Sequence, residues 1–470
     1  MSSKGRFIKN SLLFLVGTGL SRTLGIVMLP LYTSQIPAAD YGEYDISLTI
    51  ITIASSIAYF ELWSAVMRYM YDRSDDAGRA SVVKSGLVLM CGATALFVVL
   101  GCAVCSALSL GHPAWVVSYG IASAASSYFG FVARGYGKNK EFTISGILSS
   151  VVVVAANLML ILVLNVDYSA LYLSFVMGAV AQCVYLGRSI RLGSLVRDCK
   201  ADGTLMRELL RFAAPLCLNT ASYWLLSSAS RLVFNYMCGD AASGVFSVGN
   251  KFGQIIVLAT TCVTYAWQDL SFSASSRGAD GAFFTAACRK YLLFLVAALA
   301  LLLPLVKLVF PLFVLGEYGD ALNVVPLSLV VALVSGYSAF VGNIFYAIKE
   351  TRTVGTSTVA AGMVAVACAP AAISLLGANG VNVSVLAGFL VNLLIRAVIL
   401  RRKVGFSISP GACILSVVWI AGSSAAFFSS PPITVLAFVL SLAITAMVFR
   451  DDLRIILRHI SSTVKGKVDR

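Results

Sequence analysis

Long apolar runs recur along the whole chain and leave few architectures open to it. Each of about fourteen runs approaches the roughly 20 residues that an α-helix needs to cross a hydrocarbon core about 30 Å thick. Of the 470 residues, 59% are hydrophobic and only 12% are charged, a balance that no soluble fold tolerates. The sequence therefore predicts an all-α polytopic membrane protein, with spans at approximately 11–36, 43–71, 85–110, 114–133, 142–164, 170–187, 212–236, 243–271, 290–315, 322–348, 355–376, 382–400, 411–429 and 433–449.

The positive charges are distributed between these runs in a one-sided way. All but six of the 35 lysines and arginines lie at the N-terminus, in alternate loops, or in the tail from residue 450. The intervening loops, near residues 37, 111, 165, 237, 316, 377 and 430, have none. By the positive-inside rule, both termini are expected in the cytoplasm. The formal net charge of +14 thus mostly reflects topology, and the scattered basic loops argue against a nucleic-acid partner.

The longest hydrophilic loop, residues 188–211, divides six spans from eight, and a short motif then recurs. The second span begins with Tyr41-Gly42-Glu43-Tyr44, and the eighth begins with Ser243-Gly244-Val245-Phe246. Each places a glycine two residues before an aromatic residue at a helix start, which predicts a parallel repeat about an axis along the membrane normal. We expect two pseudo-symmetric six-helix bundles plus two C-terminal helices, with divisions at 1–211, 212–400 and 401–470.

Three cations lie well inside apolar spans: Arg22 in the first, Arg231 in the seventh and Lys251 in the eighth. A charge near the bilayer centre costs about 2.5–3.5 kcal/mol on insertion scales, so each should face a polar interior. Since acids do not balance them, they indicate an anion site, and the fork of an arginine suits phosphate. The alternative for each cation is a structural role, paired with an acid or with helix carbonyls. Helical spacing predicts a polar lining beside them, made of Thr18, Tyr32, Thr220, Trp224, Ser227, Gln254 and Tyr265.

Two further charges lie in the second span. Arg68 is expected near the cytoplasmic mouth of the cationic cavity. Glu61 is seven residues before Arg68 on the same helical face, about 10 Å away and too far for a direct pair. Three roles are open for Glu61: it neutralises Arg22 from the neighbouring helix, it is a protonatable group for ion coupling, or it occupies a water-lined position of no consequence. Charges nearer the span ends are explained by snorkelling towards the interface; these are Asp45, Asp269, Lys307 and Arg396.

The sequence has no motif typical of bond chemistry. Its glycines form no G-x-x-x-x-G-K phosphate loop, and no nucleophile triad is recognisable. Both histidines, His112 and His459, lie outside the spans. Cys102 and Cys105 form a C-x-x-C inside an apolar helix without further ligands nearby, which favours packing over a metal or redox role. We therefore expect neither enzyme activity nor a metal or cofactor.

Short motifs across the first twelve spans carry a family resemblance. They are Phe7–Leu13, Leu29–Thr33, Asp40–Tyr44, Ser230–Val233, Gly244–Ser247, Tyr265–Trp267 and Lys349–Arg352. Together they resemble the polysaccharide (Wzx-type) flippases of the multidrug, oligosaccharidyl-lipid and polysaccharide (MOP) export superfamily. One departure is Ser230, which stands where many relatives have an acid before the seventh-span arginine.

The resemblance implies a substrate and a location. The substrate would be an undecaprenyl-pyrophosphate-linked oligosaccharide, flipped by alternating access across a bacterial cytoplasmic membrane. Further candidate partners are membrane lipids and a polysaccharide polymerase or glycosyltransferases. Three alternatives stay open. One is a lipid II-type flippase, which shares the electrostatics, and another is a drug or organic-cation exporter, which would need internal acids. The third is a non-transporting membrane scaffold of a polysaccharide synthesis complex.

Overall fold

The computed structural model describes residues 25–197, 199–276, 281–348 and 350–450. Within these ranges the regular structure is helical and contains no strand, as the apolar runs predict. A π-helical turn, Leu158–Val163, follows α6, and a 3₁₀-helix, Gly316–Val324, precedes α12. The α-helices are α1 Leu29–Gln35, α2 Ala38–Ala58, α3 Leu62–Tyr71, α4 Asp76–Ala107, α5 Pro113–Gly135, α6 Asn139–Asn157, α7 Ser169–Ser189, α8 Leu192–Arg197, α9 Gly203–Lys251, α10 Gly253–Ser276, α11 Gly281–Phe313, α12 Val325–Ala347, α13 Thr351–Leu376, α14 Ala378–Val404, α15 Pro410–Phe427 and α16 Pro431–Val448.

Among the described residues, 10 helical segments are long and apolar enough to cross a membrane, or up to 11 if the bent pair α2 and α3 is one span. The first predicted span, 11–36, lies largely outside these residues. Helices α9 and α10, which contain the predicted spans seven and eight, are not among the ten. The chain is therefore a multi-pass membrane protein, and the full count of fourteen spans stays a prediction.

The second predicted span is broken rather than continuous. Helix α2 ends at Ala58, α3 begins at Leu62, and the two helices are bent by 44°. Phe60 and Glu61 both have a φ of 51°, in the left-handed region. Neither glycine nor proline marks this break, so helical periodicity did not indicate it. The prediction that Glu61 and Arg68 share one face of a single helix is therefore wrong.

Predicted spans seven and eight are joined more closely than expected. Helix α9 runs from Gly203 to Lys251 with one non-helical residue inside it, Gly239, at φ 82° and ψ 176°. Glycine adopts positive φ without a Cβ clash, so one residue redirects the chain where a loop near Met237 was expected. We call residues 203–238 and 240–251 the first and second segments of α9. A turn at Phe252 then separates α9 from α10.

The two halves of the chain meet where α2 crosses the second segment of α9. A methyl group added to Gly42 would lie 1.8 Å from the carbonyl oxygen of Asp240. A methyl group added to Gly244 would lie 1.9 Å from the carbonyl oxygen of Ala38. Each glycine thus packs against the backbone of the residue that lies four positions, or one helical turn, before the other glycine. The two equivalent positions of the predicted repeat are in reciprocal contact with one another.

Several of the loops that lack lysine and arginine contact one another, and we call the face that they form the acidic face. It includes Glu43, Asp167 and Glu317. The Tyr168 hydroxyl donates to Glu43 Oε2 at 2.8 Å, connecting the start of α2 with the start of α7. The backbone N–H of Ala38 donates to Glu317 Oε2 at 3.4 Å, connecting α2 with the 3₁₀-helix before α12. The halves are therefore held together at this face.

Candidate functional site

Arg231 lies at the contact between the two halves. It belongs to the first segment of α9, and its Nη1 atom lies 3.5 Å from Asp45 Oδ2 of α2. The two side chains are only 22% and 19% exposed, so the pair is largely enclosed. The guanidinium carbon also lies 5.7 Å from the ring centroid of Phe246, in the second segment of α9. The expectation that Asp45 snorkels at a span end is therefore wrong, because it faces Arg231 from the other half.

Lys251, the last residue of α9, is the second cation of this region. Its Nζ lies 5.3 Å from the ring centroid of Tyr41. Tyr41 lies one helical turn before Asp45, the ion-pair partner of Arg231. The structure thus brings together two of the three predicted cations. Among the described contacts, the carboxylate that pairs with a cation of this region is Asp45, with Arg231. The region therefore has more cations than paired acids, as an anion site requires.

A polar cavity of about 280 Å³ lies beside Arg231. Of the predicted site residues, Ser227, Arg231 and Gln254 line it. Its described lining contains no acid, and Arg231 is the charged member. This cavity lies within the second half, between α9, α10, α12 and α14, and not between the two halves. The other lining residues are Tyr223, Ser228, Phe246, Asn250, Gly253, Val257, Ser328, Val331, Ala332, Ser335, Val381, Asn382, Val385 and Phe389.

Thr220 and Trp224 contact the first half and do not line this cavity. The Thr220 hydroxyl donates to Glu61 Oε1 at the break before α3. The Trp224 indole donates to the carbonyl oxygen of Thr49 in α2 at 3.2 Å. The predicted polar face of the seventh span is therefore divided between the interface with the first half and the cavity.

Tyr32 connects the cationic cluster to a buried polar network of the first half. Its ring centroid lies 6.2 Å from that of Tyr41. The Tyr32 hydroxyl accepts a hydrogen bond from Asn157 Nδ2 at 3.1 Å. Asn157 Oδ1 accepts in turn from Ser174 at 3.1 Å. Tyr32 is thus a support for Tyr41 and Lys251 and not part of the described cavity wall.

Among the remaining predicted residues, Arg68 does not line the cavity. Arg68 forms an ion pair with Asp72 near the end of α3, and both side chains are 54% exposed. Thr18 and Arg22 lie outside the described residues. The side chain of Tyr265 also lies outside the described part, although its backbone belongs to α10.

Arg396 is a further buried cation whose environment sequence reasoning missed. It is 4% exposed. Its Nη1 donates to the Ser338 carbonyl oxygen at 2.6 Å, its Nε to Ser357 Oγ at 3.1 Å, and its Nη2 to Thr358 Oγ1 at 3.3 Å. These neutral partners join α14 to α12 and α13, so snorkelling is the wrong interpretation. The sequence did indicate this, because Arg396 lies eight residues, or about 12 Å, before the end of α14 at Val404, which is deep within the helix.

The appended helices α15 and α16 form an apolar groove of about 380 Å³ between them. Its walls include Leu415, Val418, Leu436 and Leu440, which are all exposed. Trp419 also lines the groove, and its indole is satisfied by a hydrogen bond to Ser441 at 3.3 Å. The groove therefore presents an apolar surface, in contrast to the polar cavity beside Arg231.

One family model matches the chain, and it covers residues 7–267. The family is described as polysaccharide biosynthesis protein. The matched region includes Asp45, Arg231 and Lys251, and therefore all the residues of the cationic cluster described above. A comparison with curated proteins finds no match.

Solved structures with a similar fold are transporters and flippases. The lipid II flippase MurJ in an inward closed conformation has a TM-score of 0.71 at 12% identity, covering 94% of this chain and 100% of its own. An inward-facing multidrug resistance MATE family transporter of the MOP superfamily has a TM-score of 0.64 at 15% identity, covering 87% and 96%. A MOP superfamily transporter from Pyrococcus furiosus, described by the reverse polarity of its binding pocket, has a TM-score of 0.58 at 13% identity, covering 89% and 96%.

At these identities the likeness concerns the fold alone, which is that of the MOP transporters and flippases and not of enzymes. The family match spans more than half of the chain, and the motifs quoted above lie mostly within it. The chain therefore belongs to the polysaccharide biosynthesis protein family and has the fold of the MOP superfamily.

Proposed function

We propose that this protein is a flippase that moves a polyprenyl-pyrophosphate-linked oligosaccharide across the bacterial cytoplasmic membrane by alternating access. The observation that carries the proposal is the meeting of Arg231 and Lys251, next to a polar cavity, at the contact between the two halves. Two interior cations with one nearby acid suit a substrate with more than one negative charge. Pyrophosphate has this property, and the arginine fork binds its oxygens in pairs.

The cavity lining supports a headgroup that also carries sugars. Hydroxyl and amide side chains, among them Ser227, Ser328 and Asn382, supply partners for sugar hydroxyls. Phe246 and Phe389 supply flat apolar faces. A volume of about 280 Å³ is smaller than most pockets that bury drug-sized ligands, which have about 300–1,000 Å³. An oligosaccharide therefore requires space beyond this cavity, which separation of the halves along α2 and α9 would open next to Arg231.

We further propose an orientation with both termini in the cytoplasm, on the strength of the one-sided lysine and arginine distribution. The acidic face, with the Gly42–Gly244 crossing near it, would then be the outer side. In this arrangement residues 1–211 and 212–400 are the halves that move, and residues 401–470 contain the appended helices. The lipid tail would stay in the bilayer while the charged headgroup passes between the halves.

The test is polymer export in a deletion strain complemented with variants of the protein. We expect Arg231→Ala to abolish most export and Arg231→Lys to keep part of it, since lysine retains charge without the bidentate fork. Arg401→Ala, an exposed arginine at the end of α14, is the matched control and should export normally. Full export by Arg231→Ala at normal expression would exclude the anion-site function and favour a scaffold role.

A lipid II-type substrate is the second candidate, because the similar MurJ fold and the same pyrophosphate chemistry favour it. Complementation of a strain depleted of its lipid II flippase separates the two. Growth would support the lipid II substrate, and polymer export without such growth would support the oligosaccharide. A drug or organic-cation exporter is disfavoured because the described cavity lining contains an arginine and no acid. A polymerase or glycosyltransferase partner follows only from the proposed pathway step.

A further inference from the structure

We propose that Asp45 is an internal placeholder for the transported anion. Its carboxylate occupies Arg231 while the two halves are in contact, and a bound headgroup displaces it and releases that contact. The inference rests on the proposed function, because it takes Arg231 as the cation that meets the headgroup. It adds a gating role for a residue that does not itself line the described cavity.

The Asp45–Arg231 pair joins the two halves and is not tightly formed. The 3.5 Å separation exceeds the 2.7–2.9 Å of a strong charge-assisted hydrogen bond. Among the described residues, no hydrogen bond holds the Asp45 carboxylate in place. Its backbone carbonyl, by contrast, accepts from Thr49 at 2.9 Å, so helix α2 is regular at this point. The carboxylate can therefore leave Arg231 by side-chain rotation without breaking other bonds.

Arg231 is available for exchange in a way that Arg396 is not. Arg396 is 4% exposed and donates to oxygens of α12 and α13 through all three of its guanidinium nitrogens. Arg231 is 22% exposed at its side chain, lines the cavity, and has an acid on one side only. A headgroup that enters the cavity thus reaches a guanidinium whose existing partner is mobile.

The position of Asp45 connects this exchange to the crossing of the halves. Asp45 follows Gly42 by three residues, which is about 4.5 Å along the axis of α2. At Gly42 the backbone of α2 is in direct contact with the backbone of α9 at Asp240 and Gly244. Losing the ion pair removes an attraction about one turn from this crossing. Anion occupancy and closure therefore compete for one guanidinium, and each must weaken the other by the same factor.

The same exchange helps the return of the empty protein. When the headgroup leaves, Asp45 binds Arg231 again and neutralises it. An arginine left unpaired in an enclosed site is costly, so the re-formed pair stabilises the empty protein. Asp45 thus acts both when the headgroup binds and when it leaves.

The test uses the full-length protein in lipid nanodiscs, with inorganic pyrophosphate as the probe and calorimetric titration as the readout. Asp45→Asn removes the competing charge and keeps the side-chain size. We expect it to bind pyrophosphate about three- to tenfold more tightly than the unmodified protein. Asp45→Ser carries the same test if the asparagine variant does not fold. Glu350→Gln is the matched control, since it removes an acid from the Lys403 pair far along the chain and should leave affinity unchanged.

Hydrogen exchange gives the second readout. Pyrophosphate should speed amide exchange in peptides covering residues 38–48 and 239–249 of the unmodified protein. In Asp45→Asn these peptides should exchange fast without pyrophosphate, while peptides around Arg396 stay unchanged. Equal or weaker pyrophosphate binding by a folded Asp45→Asn protein overturns the placeholder and leaves the anion site standing. Failure of every protein to bind pyrophosphate, Asp45→Asn included, overturns the anion site and the placeholder together.

Discussion

Gly42 and Gly244 are in reciprocal backbone contact at the crossing of α2 with the second segment of α9. A side-chain carbon on either residue would lie under 2 Å from a carbonyl oxygen of the other helix, at 1.8 Å and 1.9 Å. Such distances leave no room for even a methyl group. The crossing is therefore a place where glycine is required by close approach.

We predict that Gly244→Ala lowers the free energy of unfolding of this state by about 1–3 kcal/mol, the usual range for overpacking a tight contact. Thermal unfolding of the protein in nanodiscs measures the effect. Gly146→Ala is the matched control, because a methyl group there meets nothing within 4 Å and alanine favours a helix. Equal stability of the two variants would show that the crossing is not close in the membrane.

We predict that Arg22 contributes to the same anion site from the first span. Arg22→Ala should reduce polymer export more than about tenfold, the equivalent of about 1.4 kcal/mol of lost interaction. Arg22→Lys should keep partial export because it retains a point charge without the fork. Export by an Arg22→Ala, Arg231→Ala double variant at the normal level, with normal expression, would contradict the anion site.

Arg396 is predicted to act on stability rather than on anion binding. Arg396→Met should lower the free energy of unfolding by about 1–3 kcal/mol, because Ser338, Ser357 and Thr358 lose a buried donor. Pyrophosphate affinity of the folded fraction should stay within about twofold of normal. Arg231→Met should show the opposite pattern. If Arg396→Met instead lowers affinity and not stability, Arg396 belongs to the anion site.

Glu61 is predicted to be the ion-coupling group, at the break between α2 and α3. It accepts a hydrogen bond from Thr220 of the other half, so its protonation state can affect the contact between the halves. Glu61→Gln keeps size and hydrogen bonding and removes the titratable charge. The variant should reach the membrane and lose the pH or sodium dependence of transport in vesicles. Wild-type rates with unchanged ion dependence would leave Glu61 a structural role only.

The sequence alone determined the class of protein and most of the helices. An apolar run of membrane length predicts a membrane span whatever it packs against. Helices α4 to α7 and α11 to α16 accordingly agree with predicted spans. For the cations the sequence predicts that a charge inside an apolar run faces a polar interior. The motifs around Gly42 and Gly244 indicated two comparable helix starts, but not that the two glycines contact one another.

Only the tertiary structure decided which side chains meet across helices. Periodicity defines a face within one helix, but the partner of that face comes from packing. Asp45 and Arg231 are far apart in the chain, and no local pattern of either helix specifies their pairing. The break at Phe60 and Glu61 also depends on tertiary packing. Both residues have a positive φ, which residues with a side chain disfavour unless the surrounding structure imposes it. The residue before Arg231 is Ser230 and not an acid. The acid that pairs with Arg231 is Asp45, which belongs to the other half.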